Sequence, residues 1–279
     1  MRMIFGFMAL FFAGQAVAEA PRTVVSLNLC TDELALAFAQ EGQIAGVSFN
    51  VGNAALSTFA EQAKPLPKLR GSAEEMLALK PDLVLMGEGQ QPELQHWMRG
   101  RGMNVLAVPL ANTLEATKRN IRQVAKQMGN PAAGEAAIRR MQNAFSVPYG
   151  SSNAPRVAVY YPRGYSDGRG TFMDAMLHAI GARHLGAEKG VEQLAYMPLE
   201  TLVRLQPDVV LTQDYGFHTQ TQGEVLLAHP ALKALKAERV TIPGNLLVCP
   251  ALHVADIIAR LKEAWPGKAA YFAEAVYAD

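Results

Sequence analysis

The chain says one thing twice. The stretch EMLALKPDLVL, from Glu75 to Leu85, returns as ETLVRLQPDVVL from Glu200 to Leu211, with Pro81 and Pro207 standing 126 residues apart. Each copy has apolar residues at helical spacing, then a Pro-Asp pair, then a short apolar run of branched residues. That is the pattern of a helix, a turn and a buried strand. Strands alternating with helices mean parallel sheets with helices on their faces. The doubling predicts two lobes of one plan.

The flanking segments agree. The first half opens with a β-rich run, Arg22 to Leu29, followed by a helical pattern from Asp32 to Ala39. The second opens with Arg156 to Tyr161, passes a Gly-rich loop from Arg163 to Thr171, and enters a helix from Phe172 to Ile180. Thr171 and Asp174 have capping-box spacing. Closing strands are predicted at Asn104 to Pro109 and Arg239 to Ile242. Between the halves, Thr113 to Phe145 is helical, broken where Gly129 stops one helix, Asn130 caps the next and Pro131 fills its first turn. That second piece is about 22 Å long at 1.5 Å per residue, enough to join lobe to lobe. The expected fold is α/β: two Rossmann-like lobes with parallel sheets joined by a single long helix, with a ligand cleft between them. The parts are 1–18, a signal peptide; 19–112, the amino-terminal lobe; 113–147, the connector; and 148–279, the carboxyl-terminal lobe.

Residues 1–18 carry Arg2, an unbroken apolar run and Ala16-Val17-Ala18, the features of a cleaved secretory leader. A periplasmic protein is expected. Removing the leader takes the formal charge from +1 to zero, which leaves no electrostatic footprint for nucleic acid. Two cysteines in an oxidising compartment allow one disulfide. Cys30 and Cys249 each precede a predicted helix, and three states stay open: a bridge across the lobes, a free pair touching ligand, or buried thiols.

Parallel α/β sheets bind ligands beyond the carboxyl ends of their strands. Candidate cleft residues are therefore Asn28, Cys30, Phe49, Tyr160, Arg163, Tyr165, Tyr215, His218 and Cys249, with Gly87 and Glu88 also at a strand end. An aromatic, weakly charged set suits a flat conjugated or macrocyclic ligand, while Arg163 and Arg169 suit anionic groups. One of Tyr160 and Tyr161 is expected to be an ordinary strand residue. The histidines and carboxylates form no cluster at metal-ligand spacing, so no metal site and no cofactor are expected. A Cys30 nucleophile with His218 or His253 as base would make an exported thiol-dependent enzyme. The doubled architecture needs no catalyst, and the expectation is a binding protein rather than an enzyme.

RTVVSLNLCTDELALAF, the two repeat units and YYPRGYSDGRGTFMDAMLHAIGARHL together resemble the periplasmic binding proteins of ABC importers for iron-siderophores, haem and cobalamin, the type with a helical backbone between the lobes. The resemblance implies a monomer that delivers a small-molecule metal complex to an ABC permease dimer at the inner membrane. A ferric siderophore leads, with cobalamin and haem as alternatives. It also implies that one glutamate on each lobe tip docks against permease arginines. Glu74 and Glu200, each seven residues before its repeat proline, fall on those positions.

Overall fold

The computed structural model describes residues 20–145, 154–216 and 222–263; the leader expected at 1–18 and the candidate His218 lie outside them. The amino-terminal half contributes β1 (Val24–Ser26), β2 (Ile44–Ser48), β3 (Lys68–Leu69), β4 (Leu83–Gly87) and β5 (Val105–Val108). They form one parallel sheet in the order β3-β2-β1-β4-β5. The carboxyl-terminal half contributes β6 (Arg156–Val159), β7 (Tyr165–Asp167), β8 (Arg183–His184), β9 (Leu194–Tyr196), β10 (Val209–Asp214) and β11 (Glu238–Pro243). Here β11-β10-β6-β8 is a parallel sheet, and β7 pairs with β9 as an antiparallel ribbon.

The repeat occupies the same place in both lobes. Its helices are Ala73–Leu79 and Leu199–Leu205, and each ends in a left-handed residue, Lys80 at φ 46° and Gln206 at φ 45°. The following proline cannot continue the helix. Its strands, β4 and β10, pair with the first strand of their lobe, Val24 opposite Leu83 and Val157 opposite Val209. The conserved sense of the Pro-Asp pair is then plain. Asp82 Oδ2 accepts from the backbone N–H groups of Arg22 and Thr23, both at 2.9 Å, and Asp208 Oδ2 accepts from Arg156 N–H at 2.8 Å. Each aspartate ties the start of its lobe's first strand to the turn before the neighbouring one.

The connector is a helical hairpin. Thr113 caps Leu114–Gln127, Gly129 turns the chain at φ 77°, and Asn130 caps Pro131–Ala144. The lobe-linking helix thus has 14 residues, about 21 Å. Arg122 and Glu135 pair across the hairpin at 2.6 Å. One hydrophobic core runs through both halves, from Val24 and Leu83 through Ile121 and Ile138 to Val157, Leu211 and Ile257.

Two local differences from the expected pattern have physical causes. The first strand stops at Ser26 because Asn28 caps a helix that already starts at Leu29, its side chain accepting from Cys30 N–H at 3.0 Å. The Gly-rich loop contains β7, whose partner β9 lies some thirty residues on, so no local signal marks it.

Candidate functional site

Both parallel sheets present carboxyl-terminal strand ends to the seam between lobes. The Asn28 cap sets Cys30 in the first turn of the Leu29–Phe38 helix, at the end of β1. From the other lobe, the chain leaves β11, makes the short helix Gly244–Leu247 and delivers Cys249. The two cysteines form a disulfide with Cα atoms 5.1 Å apart and a separation of 219 in sequence. Cys30 is exposed and Cys249 buried. Of the three states left open by the sequence, the structure has the bridge, and it lines the groove.

The disulfide stands in the wall of a cavity of about 310 Å³. The amino-terminal lobe contributes Asn28, Thr31 and Leu34, the end of β4 at Gly87 with Glu88 after it, and the end of β5 at Val108 with the stretch from Pro109 to Ala111. The connector adds Thr117 and Asn120, and the carboxyl-terminal lobe adds Phe172 and Val248 to Ala251. The walls are pinned by side chains: Asn120 Nδ2 donates to Pro109 O at 2.7 Å, and Gln90 Nε2 donates to Leu27 O at 2.8 Å. Leu110, 85% exposed, and the half-buried Phe172 offer apolar surface from opposite lobes. Among the described residues, Glu88 is the one charged member of the lining. A larger depression, about 460 Å³, lies at the other ends of the strands, beside Arg22, Asp82 and Asn104, and holds none of the candidate residues.

Beside the disulfide the lobes meet again through a buried pair. His253 Nε2 lies 3.0 Å from Glu33 Oε2, whose other oxygen accepts from Ser57 Oγ at 2.6 Å. Asn245 Nδ2 donates to Ala54 O at 3.0 Å, next to a second depression of about 270 Å³ lined by Ala54, Asp214, Tyr215 and Asn245. Neighbouring Asp32 is wholly buried, and burial pushes its carboxyl up to about 6 against the hydrogen bonds from Ser26 and Ser48. His253, named from the sequence as a candidate base for Cys30, belongs to this seam, against Glu33.

The cavity thus gathers Asn28, Cys30 and Cys249 of the candidates. Tyr215 faces the second depression instead. Tyr160 is corrected: it is wholly buried in the carboxyl-terminal lobe beside Ala158 and Leu202, and burial pushes its hydroxyl up to about 12. Phe49, 74% exposed, sits on the turn Phe49–Gly52 after β2 and is not part of the cavity lining. Arg163 is exposed on a left-handed turn at φ 65°, and Tyr165 lies on the outer ribbon opposite Tyr196. Arg169 is engaged by Glu192 at 3.2 Å and by Ala187 O. None of these three lines the cavity. Sequence reasoning missed Leu110, Asn120 and Phe172; Leu110 directly follows a predicted strand, the same signal that marked Asn28.

Glu74 and Glu200 are both exposed second residues of their helices. Its own backbone N–H and the Ser72 hydroxyl hold the Glu74 carboxyl below the usual range. Adjacent Glu75 is a structural cap, accepting from the N–H groups of Gly71 and Ser72, each at 2.9 Å. Among the described residues no helix is long and apolar enough to cross a membrane, and no group of three or more His, Cys, Asp or Glu is placed to hold a metal ion.

Several known proteins are similar to this chain. The chain is 24% identical over 213 residues to an uncharacterised ABC transporter substrate-binding lipoprotein of Bacillus subtilis, covering 71% of this chain and 65% of that protein. It is 26% identical over 253 residues to a cobalamin-binding protein of Halobacterium salinarum, covering 87% of this chain and 67% of the relative. Among solved structures, the periplasmic haem-binding protein BhuT in complex with two haems superposes with a TM-score of 0.65 at 26% identity, over 88% of this chain and 99% of that one. The apo haem-binding protein RhuT of Roseiflexus superposes with a TM-score of 0.69 at 25% identity, over 87% and 97%. A family profile described as periplasmic binding protein matches residues 24–242. With the doubled parallel sheets, the helical connector and the cavity at their shared ends, that match makes this chain a member of the periplasmic binding protein family.

Proposed function

We propose that this chain is the exported ligand-binding component of an ABC importer, without enzymatic activity, and that its cargo is a corrinoid. The observation that carries the cargo is the charge of the cavity. Among the described residues, its lining holds Glu88 and no cation. A ferric catecholate or carboxylate siderophore, or a haem with its propionates, calls for arginine forks; the two arginines first considered for that task stand elsewhere. A cobalt corrinoid is neutral or cationic, carries amides around its rim, and asks for apolar surface with a few polar groups. Leu110, Phe172, Pro109 and Pro250 provide that surface, and Asn28, Gln90 and Asn120 the polar groups. The cobalamin-binding relative supports the same choice. Export is supported by the leader-like residues 1–18 and by a disulfide, a bond that persists in oxidising compartments.

Calorimetric titration of the purified chain with cyanocobalamin, dicyanocobinamide, haemin and a ferric catecholate tests the reading. At least one corrinoid is expected to bind in the micromolar range or tighter, well ahead of haemin and the catecholate. Tight binding of either anionic complex with none of the corrinoids overturns it.

A further inference from the structure

Resting on the corrinoid reading, we infer that the Cys30–Cys249 disulfide is a specificity-determining partition of the interlobe groove. It makes the site select an incomplete corrinoid, lacking the lower nucleotide loop, over a complete one.

The strand ends of both lobes border a groove that, among the described residues, falls into two parts. The cavity beside Glu88 and Leu110 and the depression beside Asp214 and Tyr215 share no lining residue. Between them the lobes are joined at successive points. The disulfide comes first, then His253 against Glu33 at 3.0 Å and Thr58 at 3.4 Å, then Asn245 against Ala54 at 3.0 Å. The polar contacts can be exchanged for water as the lobes separate. The disulfide cannot, and it is the contact that forms the cavity's own wall.

Two consequences follow for a ligand. The first is that the cavity, about 310 Å³, ends at the disulfide that forms its wall. The macrocycle therefore enters by one edge, from the Glu88 side, and does not reach Tyr215. The nucleotide loop hangs from one face of the corrin, so it lies toward one lobe or the other, across the dimension that the disulfide holds fixed. A cleft free to widen would admit the loop; this one is tied where widening would begin.

The oxidised full chain, titrated calorimetrically, is expected to bind dicyanocobinamide at least about tenfold tighter than cyanocobalamin. In the Cys30→Ser/Cys249→Ser variant, and in wild type reduced with a phosphine that is then removed under nitrogen, the ratio should fall to within about threefold, through a gain in cyanocobalamin affinity. Equal affinities in the oxidised protein overturn the inference whether or not the variant folds. A preference that survives loss of the disulfide assigns selection to other residues and overturns it too. If no form binds either corrinoid, the corrinoid reading itself fails and the partition falls with it.

Discussion

Asp32 shows how a single carboxyl sets a pH dependence. It is wholly buried beside Glu33, accepts from Ser48 N–H at 3.2 Å and is bonded by the Ser48 hydroxyl. Burial outweighs those bonds and lifts it from 3.8 to about 6. A raised acid binds its proton more tightly folded than unfolded, so stability is greatest below the unfolded value and declines as pH rises through the folded one. The window runs from about pH 4 to pH 6, and the full effect is on the order of 3 kcal/mol. Asp32→Asn removes the titration: relative to this variant, wild type should lose about 2–3 kcal/mol of unfolding free energy between pH 4 and pH 7. Denaturant titrations of both proteins across that range check it, and parallel pH profiles would refute it. Residue placement was legible in part for the same kind of reason. Cys30 and Cys249 were readable as strand-end residues, but their pairing needed the orientation of one lobe against the other. Tyr160 misled because a parallel sheet is buried on both faces: Val157 and Val159 join one core and Ala158 and Tyr160 the other, so alternation marks no exposed side.

At the level of the element, the repeated helix-turn-strand is held by its aspartate. Asp82 accepts two backbone N–H groups and Asp208 one, from chain 59 and 52 residues earlier at their nearest. Charge-assisted bonds of this sort contribute about 1–2 kcal/mol where solvent is near. Asp82→Ala should therefore lower the unfolding free energy by about 1–2 kcal/mol and Asp208→Ala by about 1 kcal/mol. The double variant should lose nearly the sum, since the sites share no partner. Urea midpoints with an unchanged slope are the measurement; a negligible loss at both sites would show that the turn is held by its backbone alone. Elements with local signals were legible from sequence. The caps at Ser72, Thr113, Asn130 and Thr171 all bond as their residue types suggest. The β7–β9 ribbon was not, because its stability lies in pairing between distant segments.

For the whole molecule, the two-lobed plan was the most legible feature, since a fold stated twice cannot be hidden by local ambiguity. The same doubling bears on the importer reading. Glu74 and Glu200 stand exposed at the second position of equivalent helices, as contacts for a twofold partner should. Glu74→Lys/Glu200→Lys loses a favourable charge at each helix start, so stability should fall by no more than about 1–2 kcal/mol. Corrinoid affinity should stay unchanged while uptake by cells depending on this protein is abolished. Uptake that survives, or affinity lost along with it, would remove the docking assignment. The bridge between lobes also has a meaning in time. A chain synthesised from its amino end presents Cys30 early, and its partner comes 219 residues later. The chain has two cysteines, so until then Cys30 has no partner within it, and the bond between them is a timestamp: it records that both lobes have arrived and met.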